Sequence, residues 1–289
     1  MSSHDLASRR RREKFAFGVL RGGMLMVVGA LGGILLFVLS QGLGAISWEF
    51  LSQPPREAMT QGGIFPAIMG TIYLTVGAML VALPLGVAAA VYLSEYATEG
   101  MPLRIVRLGI ANLAGVPSVV FGLFGLAVFV VYFHMGVSVA AGSLTLGILI
   151  LPTVIGASEE ALRQVPATFR EASLALGATR WQTIYKVVLP AALPGILTGG
   201  ILGIGRAAGE TAPIMFTAAT FYSLRMPDSP FSQVMALPYH IYVLATSGTH
   251  IEQTRPLQYG TVLVLICLVL GLSLSAIIIR TRLRRTKKW

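Results

Sequence analysis

Long apolar runs broken by short polar stretches dominate the chain, and several of them reach the roughly 18 to 20 residues that a helix needs to cross hydrocarbon. Six runs read as spans. They cover about Gly22 to Ala45, Phe65 to Leu93, Leu108 to Phe133, a fourth starting at Leu144 to Ala157 and ending in Glu159, Glu160 and Arg163, then Ala191 to Phe221 and Tyr259 to Ile279. The pattern predicts an all-α polytopic membrane protein with six transmembrane helices and both termini on one side. Glycines in the first span suit close helix packing in lipid. Pro84 predicts a kink in the second, which also carries Thr71 and Thr75 one turn apart. In the third, Gly115 and Pro117 within Asn112 to Ser118 (NLAGVPS) should loosen the helix, and a broken helix at membrane depth survives only beside protein or water.

Composition supports this reading. Of the 289 residues, 55% are hydrophobic and 12% charged, with a mean hydropathy of +0.75. Soluble domains carry about 25% charged residues. A formal charge of +10 raises the possibility of a nucleic-acid binder, but the cations flank spans. Arg9, Arg10, Arg11, Arg12, Lys14 and Arg21 precede the first run, and Arg280, Arg282, Arg284, Arg285, Lys287 and Lys288 follow the last. In the six-span topology, eighteen of the 22 Lys and Arg fall on one side, which the positive-inside rule makes cytoplasmic. The exceptions are Arg56, Arg225 and Arg255 outside and Arg206 within a span. The single cysteine, Cys267, lies in an apolar run, so no disulfide framework or thiol metal cluster is expected. The basic start and long first run read as a retained helix rather than a cleaved signal, so mature and precursor chains should be the same. The expected organisation is a basic tail over 1–21, a first helix and outer loop over 22–62, a transmembrane domain over 63–280 and a second basic tail over 281–289.

One polar island stands apart, at about residues 166–190. Thr168-x-x-Glu171 and Thr179-x-x-Gln182 each have capping-box spacing, and Gly177 between them suits a left-handed turn. Two short helices joined by a tight turn are predicted, with an apolar face of Ala172, Leu174, Ala175, Leu176 and Ala178. By spacing alone this is a docking element or an amphipathic loop resting on the membrane. A DNA-reading helix-turn-helix fits poorly, because a span on each side restricts its entry into a groove.

At these residues the chain resembles the permease subunits of ATP-binding-cassette importers, whose cytoplasmic loop carries E-A-A-x3-G-x9-I-x-L-P. Here Glu171, Ala172, Ser173, Gly177, Val187, Leu189 and Pro190 occupy those spacings, with Ser173 and Val187 as the two departures. Gly63 to Thr75, Pro84 to Ala97, Asn112 to Leu126, Gly205 to Ala218 and Leu237 to Tyr242 further resemble phosphate-importer permeases. The resemblance implies a type I importer permease fold whose coupling helix, here Glu171, Ala172, Ser173, Leu176, Gly177 and Ala178, sits in a groove of an ATPase. It also implies a sister permease completing a heterodimer, two copies of a cytoplasmic ATPase holding ATP and magnesium, an extracytoplasmic phosphate-binding protein, and a location in the bacterial inner membrane.

Ionisable groups inside the membrane are the remaining signal. Arg206 and Glu210, at i and i+4 in the fifth run, are either a structural pair or an anion site, with Thr211 adding a hydroxyl. An Arg at the bilayer centre costs about 2.5 to 3.5 kcal/mol, and its donor fork suits a tetrahedral oxyanion. Asn112 and Ser118 are candidate pathway groups or core polar residues. Glu159, Glu160, Arg163 and Arg170 read as an exit gate or as charges tying the fourth span to the hairpin. His240, in Leu237 to Tyr242, belongs to a re-entrant helix or to the surface. The chain has no GxxxxGK[ST] loop and no HExxH, so a bound cofactor, an ATPase site of its own and catalysis are not expected. The reading is a phosphate-importer permease subunit, the alternatives being its sister subunit or a molybdate or sulfate permease. An ion-driven secondary transporter, which often shows inverted repeats, and a membrane-embedded enzyme fit less well.

Overall fold

A computed structural model describes residues 3–223, 226–247 and 251–285, with side chains described over 13–57, 59–223, 226–247 and 254–282. Arg225, Lys287 and Lys288, and the side chains of Arg9 to Arg12, Arg284 and Arg285, lie outside the described residues.

The core is built by three helices with small residues at their contacts. They are α3 (Phe65–Val91), α6 (Val139–Arg163) and α9 (Leu189–Gly209). Leu74, Ala78 and Ala82 meet Leu146, Leu149, Ile150 and Val154, with Ala207 closing the cluster. Lipid gives no hydrophobic drive for helices to associate, so close backbone approach and dispersion hold such a bundle. Pro84, Pro152 and Pro194 all sit inside these helices. Neighbouring helices make such prolines tolerable in a membrane.

The first helix, α1 (Ser3–Gly42), passes without a break through the boundary expected at residue 21, since no Pro interrupts it. It joins the bundle near its C-terminal end, where Phe37 meets Tyr259 edge-on at 5.5 Å. A short helix α2 (Trp48–Ser52) and a two-stranded ladder, β1 (Pro55–Arg56) with β2 (Gln61–Gly62), form the outer loop.

The third span is broken, as Gly115 and Pro117 predict. α4 (Met101–Ala114) and α5 (Ser118–Gly125), the latter continuing in π-helical turns to Tyr132, meet at 99°. Pro117 disfavours helical backbone at Val116, and the helix ends there. Among the described residues five helices are long and apolar enough to cross a membrane, and there are six spans if the bent pair counts as one. The fifth span also ends earlier than its hydropathy suggests. α9 stops at Gly209, and α10 (Ala212–Thr217) starts after Glu210 and Thr211. A continuous helix would bring the Pro213 ring against the Gly209 carbonyl four residues back.

The long segment before the last span is ordered as well. Thr220 and Val234 exchange with this segment's own backbone, Thr220 N–H donating to Val234 O at 3.0 Å and Val234 N–H to Ala218 O at 3.1 Å. α11 (Leu237–Thr246) then docks on α3, the Leu237 N–H donating to Thr71 Oγ1 at 2.9 Å. The last span, α12 (Ile251–Arg285), runs through the boundary expected at 280.

Candidate functional site

Two regions carry the candidate residues. The first is the hairpin. α7 (Ala167–Ala175) starts from Pro166, so the expected Thr168/Glu171 capping box is not formed. Proline supplies a fixed φ and needs no donor partner at a helix start, leaving Thr168 inside the first turn. The second box is formed: Gln182 N–H donates to Thr179 Oγ1 at 3.2 Å, and Thr179 N–H to Gln182 Oε1 at 2.9 Å. Gly177 has φ +82°, Ala178 N–H donates to Ser173 O at 3.2 Å, and Gly177 N–H to Leu174 O at 2.9 Å. This is a Schellman ending, which satisfies the last carbonyls of α7.

α8 (Arg180–Thr183) is not a separate helix of the hairpin. It passes through a π-helical stretch, Ile184–Val188, directly into α9. Ser173 Oγ and Thr183 Oγ1 are 2.9 Å apart and hold the two arms together. Glu171, Ala172 and Gly177 are exposed, Ser173 and Ala178 half-buried, and Leu176 at the tip is 89% exposed. Trp181 and Tyr185 stack at 6.3 Å on the outer face.

Arg170 anchors this hairpin. It donates to Glu95 at 2.6 Å from Nη2 and at 3.2 Å from Nε, to Val165 O at 2.7 Å and to Leu162 O at 2.9 Å. The two carbonyls belong to the last turn of α6 and its exit, where backbone acceptors lack helical partners. Glu95 is only 9% exposed, in the π-helical end Tyr92–Tyr96 of the second span. Arg180 adds a bond to the Glu95 carbonyl and stacks over Tyr96 at 5.2 Å. Glu159 pairs with Arg163 at 2.7 Å and with Arg107 of α4 at 2.8 Å, and Glu160 accepts from Gln164 at 3.1 Å. Sequence reasoning passed over Glu95, Arg107 and Arg180. The available signal was an isolated carboxylate ending an apolar run.

The second region lies where α9 breaks. Arg206 occupies the last turn of α9 and Glu210 the residue after it, with Arg206 Nε and Glu210 Oε1 3.6 Å apart. That is ion-pair distance without a hydrogen bond. The Arg206 side chain is 34% exposed and lies at helical spacing with Leu202, Gly205 and Gly209; around the two glycines there is open space. Glu210 borders a crevice shared with Thr71, Thr75, Ile214, Ala236 and Pro238. Thr211 is half-buried just before α10. Asn112 is exposed in the last turn of α4 and Ser118 half-buried at the start of α5. Among the described residues no hydrogen bond or ion pair joins those two to Arg206 or Glu210. α5, which Ser118 begins, packs on α10 at Gly122, where an added methyl would lie 3.0 Å from Pro213 Cα.

A helical bundle of this build, with a hairpin between its fourth and fifth spans, defines a multi-pass membrane permease. Residues 82–289 match the family of binding-protein-dependent transport system inner membrane components, and the chain belongs to that family of ATP-binding-cassette importer permeases. The probable ABC transporter permease protein YqgI of Bacillus subtilis is 32% identical over 93% of this chain and 95% of its own length. Phosphate transport system permease protein PstA 1 of Mycobacterium tuberculosis is 40% identical over 78% of this chain and 72% of the relative. PstA of Xylella fastidiosa is 32% identical over 86% of each. Among solved structures, a bacterial transporter importing the acidic polysaccharide alginate has a TM-score of 0.68 at 15% identity, covering 96% of this chain and 99% of that one. The inward-facing methionine transporter MetNI has a TM-score of 0.62 at 18% identity, covering 75% and 94%. Both are likenesses of fold. The chain is thus a multi-pass inner-membrane permease subunit of an ATP-binding-cassette importer.

Proposed function

We propose that this subunit carries inorganic phosphate inward, forming half of a pathway completed by a sister permease, with both of its termini cytoplasmic. The observation that carries the proposal is Arg206, a half-exposed guanidinium at a helix break inside the membrane, held by a carboxylate at ion-pair distance rather than saturated by it. Its open stripe is the surface the sister subunit would face, and Thr211, Asn112 and Ser118 would add polar groups along the same passage. Relatives named as phosphate permeases at 32 to 40% identity support phosphate. The relative named only as an ABC permease leaves a neighbouring oxyanion as the second reading.

Energy would come from two copies of an ATPase holding ATP and magnesium, docked on the exposed tip at Leu176 and Trp181, while an extracytoplasmic phosphate-binding protein delivers substrate. No cofactor is assigned to this chain and no catalytic step. Glu159, Glu160, Arg163 and Arg170 bind the hairpin side of the bundle together, so any gating role for them would act through movement of that block.

The test is ATP-driven phosphate uptake by the assembled complex in vesicles, with sulfate and molybdate as competitors. Arg206→Ala should lower uptake roughly tenfold or more, as loss of a charge-assisted bond to an anion predicts, while Arg206→Lys keeps part of it. Undiminished uptake in both variants would remove Arg206 from the pathway, and preferred transport of a competitor would replace phosphate.

A further inference from the structure

A groove of about 300 Å³ opens between the second, fifth and sixth spans, and neither Arg206 nor the hairpin tip lines it. Thr75, Met79, Leu83 and Pro84 of α3 form one wall, with Ile204 of α9 and Leu272 of α12 opposite. Its α3 wall extends from Thr75 to Pro84, roughly 14 Å of helix. The walls are almost wholly apolar, and Leu80 on the rim is 71% exposed. In a bundle this closely packed, a gap of that size between spans is filled in the membrane by something apolar.

The chemistry at one end narrows the choice. Eight residues beyond Leu272, roughly 12 Å along α12, Arg280 reaches across to α9 and donates to Thr198 Oγ1 at 3.0 Å. Thr198 in turn donates to Pro194 O at 3.0 Å. A neutral hydroxyl leaves the guanidinium charge uncompensated, and among the described residues no carboxylate lies within ion-pair distance of Arg280. A cation fixed at the membrane face below an apolar channel matches an anionic amphiphile: a headgroup phosphate against the guanidinium, and an acyl chain running up toward Pro84 and Thr75.

We propose that this groove is a binding site for one anionic phospholipid, seated by Arg280 and filling the gap between the three spans. The inference does not depend on which substrate the permease carries. Its consequence is that the lipid joins α3, α9 and α12 as a packing element.

The test uses the assembled permease complex carrying Leu80→Trp, a change at an already lipid-exposed rim position. It is placed in phosphatidylcholine vesicles doped with an equal small fraction of either brominated phosphatidylglycerol or brominated phosphatidylcholine. Bromine quenches tryptophan on contact, so fluorescence reports which lipid occupies the groove. A preference of about fivefold for phosphatidylglycerol is expected, the gain for one cation facing an anionic headgroup. Arg280→Gln should abolish that preference and Arg280→Lys should keep it. Leu31→Trp on the exposed first helix serves as the control for general enrichment of anionic lipid around the protein. Equal quenching by both lipids at Leu80→Trp, or a preference no greater than at Leu31→Trp, overturns the proposal. Absence of quenching by either lipid also overturns it, because protein then covers the groove.

Discussion

Arg170 uses its donors on three groups from two separate pieces of chain: the Glu95 carboxylate, and Leu162 O and Val165 O at the end of α6. A planar guanidinium meets these geometric demands and an ammonium does not. Removing one partner strands the other, a loss of about 3 to 5 kcal/mol for buried pairs and the lower end here because Arg170 is 24% exposed. Glu95→Ala and Arg170→Ala should therefore each lower the melting temperature of the purified complex, and the double variant should cost clearly less than their sum. Additive losses would mean the pair is not coupled. His240 behaves differently. It is 4% exposed, its Nδ1 has no hydrogen-bond partner, and burial lowers its pKa from 6.5 to about 4. The unfolded chain takes up this proton near 6.5 and the folded chain resists it, so stability present at neutral pH falls as pH drops from 6.5 toward 4. Measured across that window, the melting temperature of wild type should fall more steeply on acidification than that of His240→Phe. Parallel curves would show that His240 does not set the acid response.

At the scale of elements, the legible features were those written locally. The Thr179 capping box, the left-handed Gly177 and the extent of α3 all follow from residues within one or two turns of each other. The rest was decided by distant partners or by Pro213 inside the fifth apolar run. Glu95 and Arg170 are 75 positions apart, and nothing in either local sequence names the other. The break expected at Gly115 and Pro117 is present between α4 and α5, whereas hydropathy continues through Pro213 and hides the end of α9 at Gly209. The same blindness placed Arg206 and Glu210 on one continuous helix, whereas the structure sets them on either side of its end. Close contacts between elements give a direct test. A methyl at Gly70 of α3 would lie 1.9 Å from Met235 O and 2.3 Å from Val234 Cγ2. Gly70→Ala should detach the 218–236 segment from α3, read as faster hydrogen exchange at Val234 and Leu237. Gly205→Ala, which meets open space, should leave that exchange unchanged.

For the molecule as a whole, composition and charge placement were enough to define a helical membrane bundle, because they reflect the solvent rather than any one contact. They also carry an expectation of orientation. A fluorescent protein fused after Trp289 should fold and fluoresce, while a secreted phosphatase inserted at Gly136, between the third and fourth spans, should be active only outside the cytoplasm. The opposite pair of results would invert the topology.

The Arg170 anchor has one more consequence, a mechanical one. It rivets the hairpin to the ends of the second and fourth spans, while Arg180 to Val188 feeds without interruption into the fifth. A displacement at Leu176 therefore cannot flex the hairpin by itself; it arrives at three spans as a single stroke. Along the path of that stroke the helical backbone is interrupted at two places, the 99° elbow between α4 and α5 and the joint at Glu210 and Thr211.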